Sequence, residues 1–155
     1  MKTCLKMLVS LCVVTALLTV CAGCGSSGDV SPFKWGMSEN EFDNAKSENV
    51  TFMGTEFTYC SGSFGSNGLN AVTYMETFAD EDEAWDAYSA LNDQIEKKYN
   101  RKDEDYIFGN KTIEISSYVV EGSIRDIVGD VAGVPDRFLN STTYILKTTV
   151  EYLKG

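Results

Sequence analysis

An α+β fold is what the order of elements predicts, with two helices packed on one face of an antiparallel sheet of about five strands. Three observations lead there. Two segments open with residues that cap helices. The segments between and after them are rich in Thr, Val, Phe and Tyr, as half-buried strands are. The resulting order, α-β-β-α-β-β-β, is met most simply by helices layered on an antiparallel sheet.

The first helix starts at Ser38. Glu41 sits three residues on, so each side chain can satisfy the other's free backbone N–H. Met37 before the cap and Phe42 inside the helix are placed to pack as a hydrophobic staple. The helix is expected to end near Lys46 or Ser47. Val50 to Cys60 then reads as one strand, with Gly54 as a bulge or bend. Ser61 to Gly68 reads as a glycine-rich connecting loop. Leu69 to Phe78 alternates, with Val72, Tyr74 and Phe78 on one face and Leu69, Ala71 and Met75 on the other. Apolar residues on both faces predict a central strand covered on one side by helix.

The second helix is capped by Asp80, and Glu81, Asp82 and Glu83 load its positive end. Ala84, Ala87, Tyr88, Leu91 and Ile95 form an apolar stripe at helical spacing, and Lys97 and Lys98 sit at the negative end near Tyr99. Asp105 to Phe108 and Lys111 to Val120 flank Gly109-Asn110, a two-residue hairpin signal of the type II′ kind. The last strand is expected from about Thr142 to Leu153, with Tyr144, Leu146, Val150 and Tyr152 on one face.

Ahead of all this lies a leader. Lys2 and Lys6 open it, an apolar run follows from Leu8 to Val20, and Ala22-Gly23 precede Cys24. A basic start, an apolar middle and a small-residue site are the parts of a secretory signal. The segment Cys21-Ala22-Gly23-Cys24 resembles the bacterial lipobox, with Cys21 where Leu is usual. The resemblance implies cleavage after Gly23 and a diacylglycerol thioether on the Cys24 thiol. Two acyl chains suffice for stable anchoring where one does not. The expected organisation is therefore a signal peptide over 1–23, a flexible Gly/Ser tether over 24–32, and a single extracytoplasmic domain over 33–155. The protein is expected on the cell surface or the periplasmic face, held to the membrane through Cys24.

The leader carries two basic residues and no acid, so its loss takes the formal charge from −10 to −12. That balance argues against nucleic acid and against anionic lipid headgroups, both of which select basic surfaces. Of five cysteines, three leave with the leader and Cys24 carries lipid. Cys60 remains alone, so no intrachain disulfide is available and the core must hold the domain. Cys60 itself is expected to be buried and inert.

Catalytic chemistry finds little support. There is no histidine, which removes Ser-His-Asp and Cys-His arrangements and the commonest metal ligand. Gly62, Gly65 and Gly68 precede a strand, whereas a phosphate cradle precedes a helix and is followed by Lys-Ser or Lys-Thr. Asp80 to Glu83 lack the alternate ligands, central Gly and closing Glu of a calcium loop. Asp103-Glu104-Asp105 reads as a solvated turn. No enzyme, cofactor or metal is expected.

Trp35-Gly36-Met37-Ser38-x-x-Glu41-Phe42 resembles the opening of BamE-like small lipoproteins, and the helix-then-sheet plan is similar to that of β-lactamase inhibitory proteins. The Leu-Gly-x-Pro ending usual after that helix in the BamE-like group is replaced by Asn44-Ala45-Lys46-Ser47. The resemblance implies a small extracytoplasmic module used for protein contact.

One segment invites a partner. Glu121 to Asn140 covers 20 positions, longer than most connections. Ile124, Ile127, Val128 and Val131 are spaced like a helix face, and Val134, Phe138 and Leu139 add apolar surface. It reads as a small helix over the sheet edge or as a contact loop. The expected contact residues are Ile124, Ile127, Val128, Val131, Phe138 and Leu139, with Phe64 at the tip of the preceding hairpin. The expected function is a lipid-tethered interaction module, inhibitor-like in plan. A small-molecule or ion-sensing domain is the alternative, with Tyr59, Tyr74, Trp85, Tyr118 and Tyr144 around a pocket. A histidine-free hydrolase is the least supported class.

Overall fold

The computed structural model describes residues 29–102, 107–123 and 143–153. Strand dominates these residues, at about 47% against 25% helix. Helix α1 is Glu39–Ala45 and helix α2 is Glu81–Lys98. The strands are β1 Val50–Phe52, β2 Thr55–Phe57, β3 Tyr59–Gly65, β4 Gly68–Phe78, β5 Asn100–Arg101, β6 Phe108–Gly109, β7 Ile113–Gly122 and β8 Thr143–Tyr152. The α+β fold with about five strands is therefore corrected to a mostly-β architecture. Strands β1 and β2 form a separate hairpin, and the other six make one antiparallel sheet in the order β3-β4-β8-β7-β6-β5.

The extra strands come from three places. Val50 to Cys60 is not one strand. The chain reverses at Met53 and Gly54, with φ of 51° and 82°, so Gly54 closes a two-residue hairpin instead of bending a strand. Two successive positive φ values suit the twist of a hairpin, but methionine is an unusual occupant of the first and hides the turn. Next, the expected loop Ser61 to Gly68 is mostly strand β3, and only Ser66 and Asn67 turn. Gly62 holds its place in this edge strand because Phe64 covers it. A Cβ there would lie 2.8 Å from Phe64 Cζ, the pattern by which an aromatic ring makes up for a strand glycine. Finally, the short polar strand β5 pairs with β6, which holds the expected Phe108, and extends the sheet by one strand beyond it.

The Gly109-Asn110 hairpin is also corrected. Gly109 ends β6, and the turn runs on through Asn110, Lys111 and Thr112. Asn110 Oδ1 accepts from the N–H groups of Thr112 at 2.7 Å and Ile113 at 3.0 Å. An Asn side chain standing in for a backbone acceptor is an Asx-type turn.

Both helix starts are formed as their caps dictate. Ser38 N–H donates to Glu41 Oε2 at 2.8 Å while Glu41 N–H donates back to Ser38 Oγ at 3.4 Å. That reciprocal bond holds the Glu41 carboxyl below its usual range, with the Ser38 backbone contact as the main cause. Asp80 Oδ1 accepts from the N–H groups of Asp82 at 2.9 Å and Glu83 at 3.3 Å.

The ladder register sorts the sheet into two faces. Val72, Tyr74, Leu146, Thr148, Val150, Ile113 and Ile115 share one. Between β3 and β4 the register slips beside Asn70, so Leu69 joins that same face although alternation alone places it opposite. This face carries the core. Helix α2 lies against β4, β7 and β8, and α1 lies against β3 and β4. Leu91 and Ile95 of α2, Phe42 of α1, and Val50, Phe52 and Phe57 of the β1-β2 hairpin complete the apolar cluster. Ser117 and Thr148 meet within it, hydroxyl to hydroxyl, at 3.0 Å, so the buried Thr148 is satisfied.

The segment ahead of α1 belongs to the body. Val30 and Phe33 are fully buried, although Val30 falls in the span expected as tether. Gly36 N–H donates to the Leu69 carbonyl at 2.9 Å, and Leu69 N–H donates to the Met37 carbonyl at 2.8 Å. These two bonds clamp the segment to the start of β4. Asp29 is fixed at the far end of α2, where Tyr99 donates its hydroxyl to Asp29 and Lys98 Nζ lies 3.2 Å away. Burial and the Asp29 carboxylate together push the Tyr99 phenol above its usual range.

Candidate functional site

Most of the sequence-derived contact residues, Ile124, Ile127, Val128, Val131, Phe138 and Leu139, lie outside the described residues, as does Cys24. Phe64 is described. It is half-buried in β3, two residues short of the turn, and meets Phe42 edge to face at 5.7 Å. Its ring is committed to Gly62 and to the core.

The aromatic residues do not ring one cavity. Tyr74 is in the core, stacked on Phe52 at 4.8 Å and beside Phe57 at 5.5 Å. Tyr59 and Tyr118 are on the opposite face of the sheet by register. Each is capped by a lysine, Tyr59 by Lys46 Nζ at 5.2 Å and Tyr118 by Lys147 Nζ at 5.6 Å. Trp85 stands on α2, and Tyr144 lies at the start of β8.

Cys60 is buried on the core face beside Tyr74. Burial pushes its thiol up to about 11, and the Lys46 charge only partly offsets this. The thiol is therefore protonated at neutral pH, which is the inert form. No group of three or more His, Cys, Asp or Glu side chains among the described residues is arranged to hold a metal ion.

Tyr74 carries a testable oddity. Its side chain is fully buried, and its hydroxyl has no hydrogen-bond partner among the described residues. Burial holds the phenol neutral, far above its ordinary range. An unpaired buried hydroxyl costs about 1–3 kcal/mol. Tyr74→Phe is therefore expected to stabilise the domain by about 1 kcal/mol, read as a higher urea midpoint at unchanged slope. A lower midpoint would mean that the hydroxyl has a partner.

Exposure points elsewhere, to the first half of α2. Among the described residues only Trp85, at 47%, and Tyr118, at 42%, are large apolar side chains left open. Trp85 meets Tyr88 edge to face at 5.3 Å, a favourable aromatic geometry that holds the indole in place. Ala84, Leu91, Asn92 and Ile95 are the buried positions, and Trp85 lies at the flank of that stripe with its side chain open to solvent. The apolar stripe read from the sequence skips position 85, and that omission was the available signal. Acid gathers at this end of the helix. Glu121 at the end of β7 raises the Tyr144 phenol most, and Glu81 and Asp80 add to it. Carboxylates from two elements thus converge beside the start of β8.

Comparison of the chain with family models, curated proteins and solved structures finds no match. Function has to be argued from the residues themselves.

Proposed function

We propose that this chain is a lipid-anchored extracytoplasmic lipoprotein whose β-rich domain serves as a protein-binding module of the cell envelope. The observation that carries it is the order of a basic start, an apolar run and Ala22-Gly23-Cys24. The fold supports it in two ways. Asp29 is held to the body by Tyr99, and in sequence only Gly25-Ser26-Ser27-Gly28 separate it from Cys24. Among the described residues the most open large apolar side chain is an aromatic on a helix, the residue type most enriched where proteins meet. Among the described residues no helix is long and apolar enough to cross a membrane.

Cys24→Ala tests the anchor. In cells fed a palmitate analogue, the wild-type chain is expected to label and to pellet with membranes. The variant is expected to lose the label and to accumulate as uncleaved precursor or soluble protein. A mature wild-type N-terminus free of acyl chains, by mass spectrometry, would overturn the anchoring.

A further inference from the structure

Resting on that anchoring, we infer that the exposed flank of the first half of α2, centred on Trp85, docks a Lys/Arg-rich segment of a partner protein held away from the membrane. Trp85 is open to solvent and braced by Tyr88. On a helix the residues three and four positions earlier share its side, and these are Asp82 and Glu81, both exposed. Asp86 is exposed beside it. The sequence from Asp80 to Gln94 contains no lysine or arginine, so this stretch of the helix supplies no basic side chain to neutralise its own carboxylates. A lysine or arginine placed over the indole meets the negative face of the ring and at least one carboxylate together. Charge complementarity thus selects a basic occupant, and the exposed ring selects against attraction by charge alone.

The anchor fixes where that side points. Asp29 is held by Tyr99 and Lys98 at the C-terminal end of α2. Cys24 is five positions earlier in sequence, a reach of at most about 18 Å. Trp85 lies 14 positions before Tyr99, about 21 Å along the helix axis. The acidic, aromatic end of α2 is therefore the end remote from the attachment point. Anionic headgroups repel it as well, so the membrane is not its occupant.

The test is a titration of the full-length chain, in detergent micelles at low salt, against a labelled decalysine peptide followed by fluorescence anisotropy. Trp85→Ala, at unchanged net charge, is expected to weaken binding about threefold to tenfold. Glu81→Gln/Asp82→Asn is expected to weaken it further than Glu48→Gln/Glu96→Gln, which removes the same two charges elsewhere. Equal affinity for wild type and Trp85→Ala, or equal losses in the two double variants, would show attraction by bulk charge and overturn the docking surface. The micelle measurement does not depend on acylation. Failure here with lipid found on Cys24 removes the surface alone, whereas absence of lipid removes the anchoring and with it the orientation.

Discussion

Gly68→Ala is expected to cost at least about 3 kcal/mol, enough to unfold much of the population of a marginally stable domain. Gly68 has φ +85°, and a Cβ there would sit 2.2 Å from the Gly36 carbonyl oxygen and 2.7 Å from that of Met37. Both are backbone atoms, and they cannot retreat alone. The same backbone makes the Gly36–Leu69 and Leu69–Met37 hydrogen bonds at 2.9 and 2.8 Å. Relieving the clash breaks the clamp that seats residues 35–37 on β4. Gly54→Ala separates this effect from backbone strain. Gly54 has nearly the same φ, +82°, but nothing lies within 4 Å of its would-be Cβ. That variant is expected to lose only the left-handed penalty, about 1–2 kcal/mol. Urea denaturation of both is the measurement, and equal losses would mean the clamp is not there.

Gly54 sits in a turn and Gly68 directly after one, and the sequence only half discloses either turn. The caps at Ser38 and Asp80 are legible because each works through side chains within three residues of itself. The helices they start are formed to within a residue or two of expectation. The strands are harder, because their partners are distant in sequence. Ser61-Gly62-Ser63-Phe64-Gly65 has loop composition, yet pairing with β4 and the cover of Phe64 over Gly62 make it strand. Met53-Gly54 makes a hairpin although methionine is poorly suited to positive φ. Asn100 and Arg101 pair only because β6 arrives beside them. Tertiary pairing thus turned a composition read as loop and helix-covered sheet into eight strands.

The site was legible to a similar degree. By residue type Trp85 reads as one of several pocket aromatics, although its place off the α2 stripe points it toward solvent. The acidity beside it reads from sequence as a helix start, which it is. What sequence spacing could not show is that Glu121, from β7, faces the same corner through Tyr144. Nor could it show that the chain enters the body at the opposite end of α2, since the bond between Asp29 and Tyr99 spans 70 positions.

That entry point also sets the second large effect. Composition suggests that the residues before Trp35 merely lead into the fold, because Ser31 and Pro32 break any regular pattern. In the structure Phe33 is fully buried and stacks on Phe42 at 4.2 Å, with Phe42 in turn edge to face with Phe64. Three rings therefore tie the N-terminal segment, α1 and edge strand β3 together. Helix α1 has only 7 residues, too few to persist without packing. Phe33→Ala is expected to cost about 3–5 kcal/mol, the range for deleting a buried phenylalanine. Amide protection in α1 is expected to fall with it, since Phe42 is that helix's one buried residue. A measured loss below about 0.5 kcal/mol, typical of surface positions, would place Phe33 in the tether and free Asp29 to hang loose from α2.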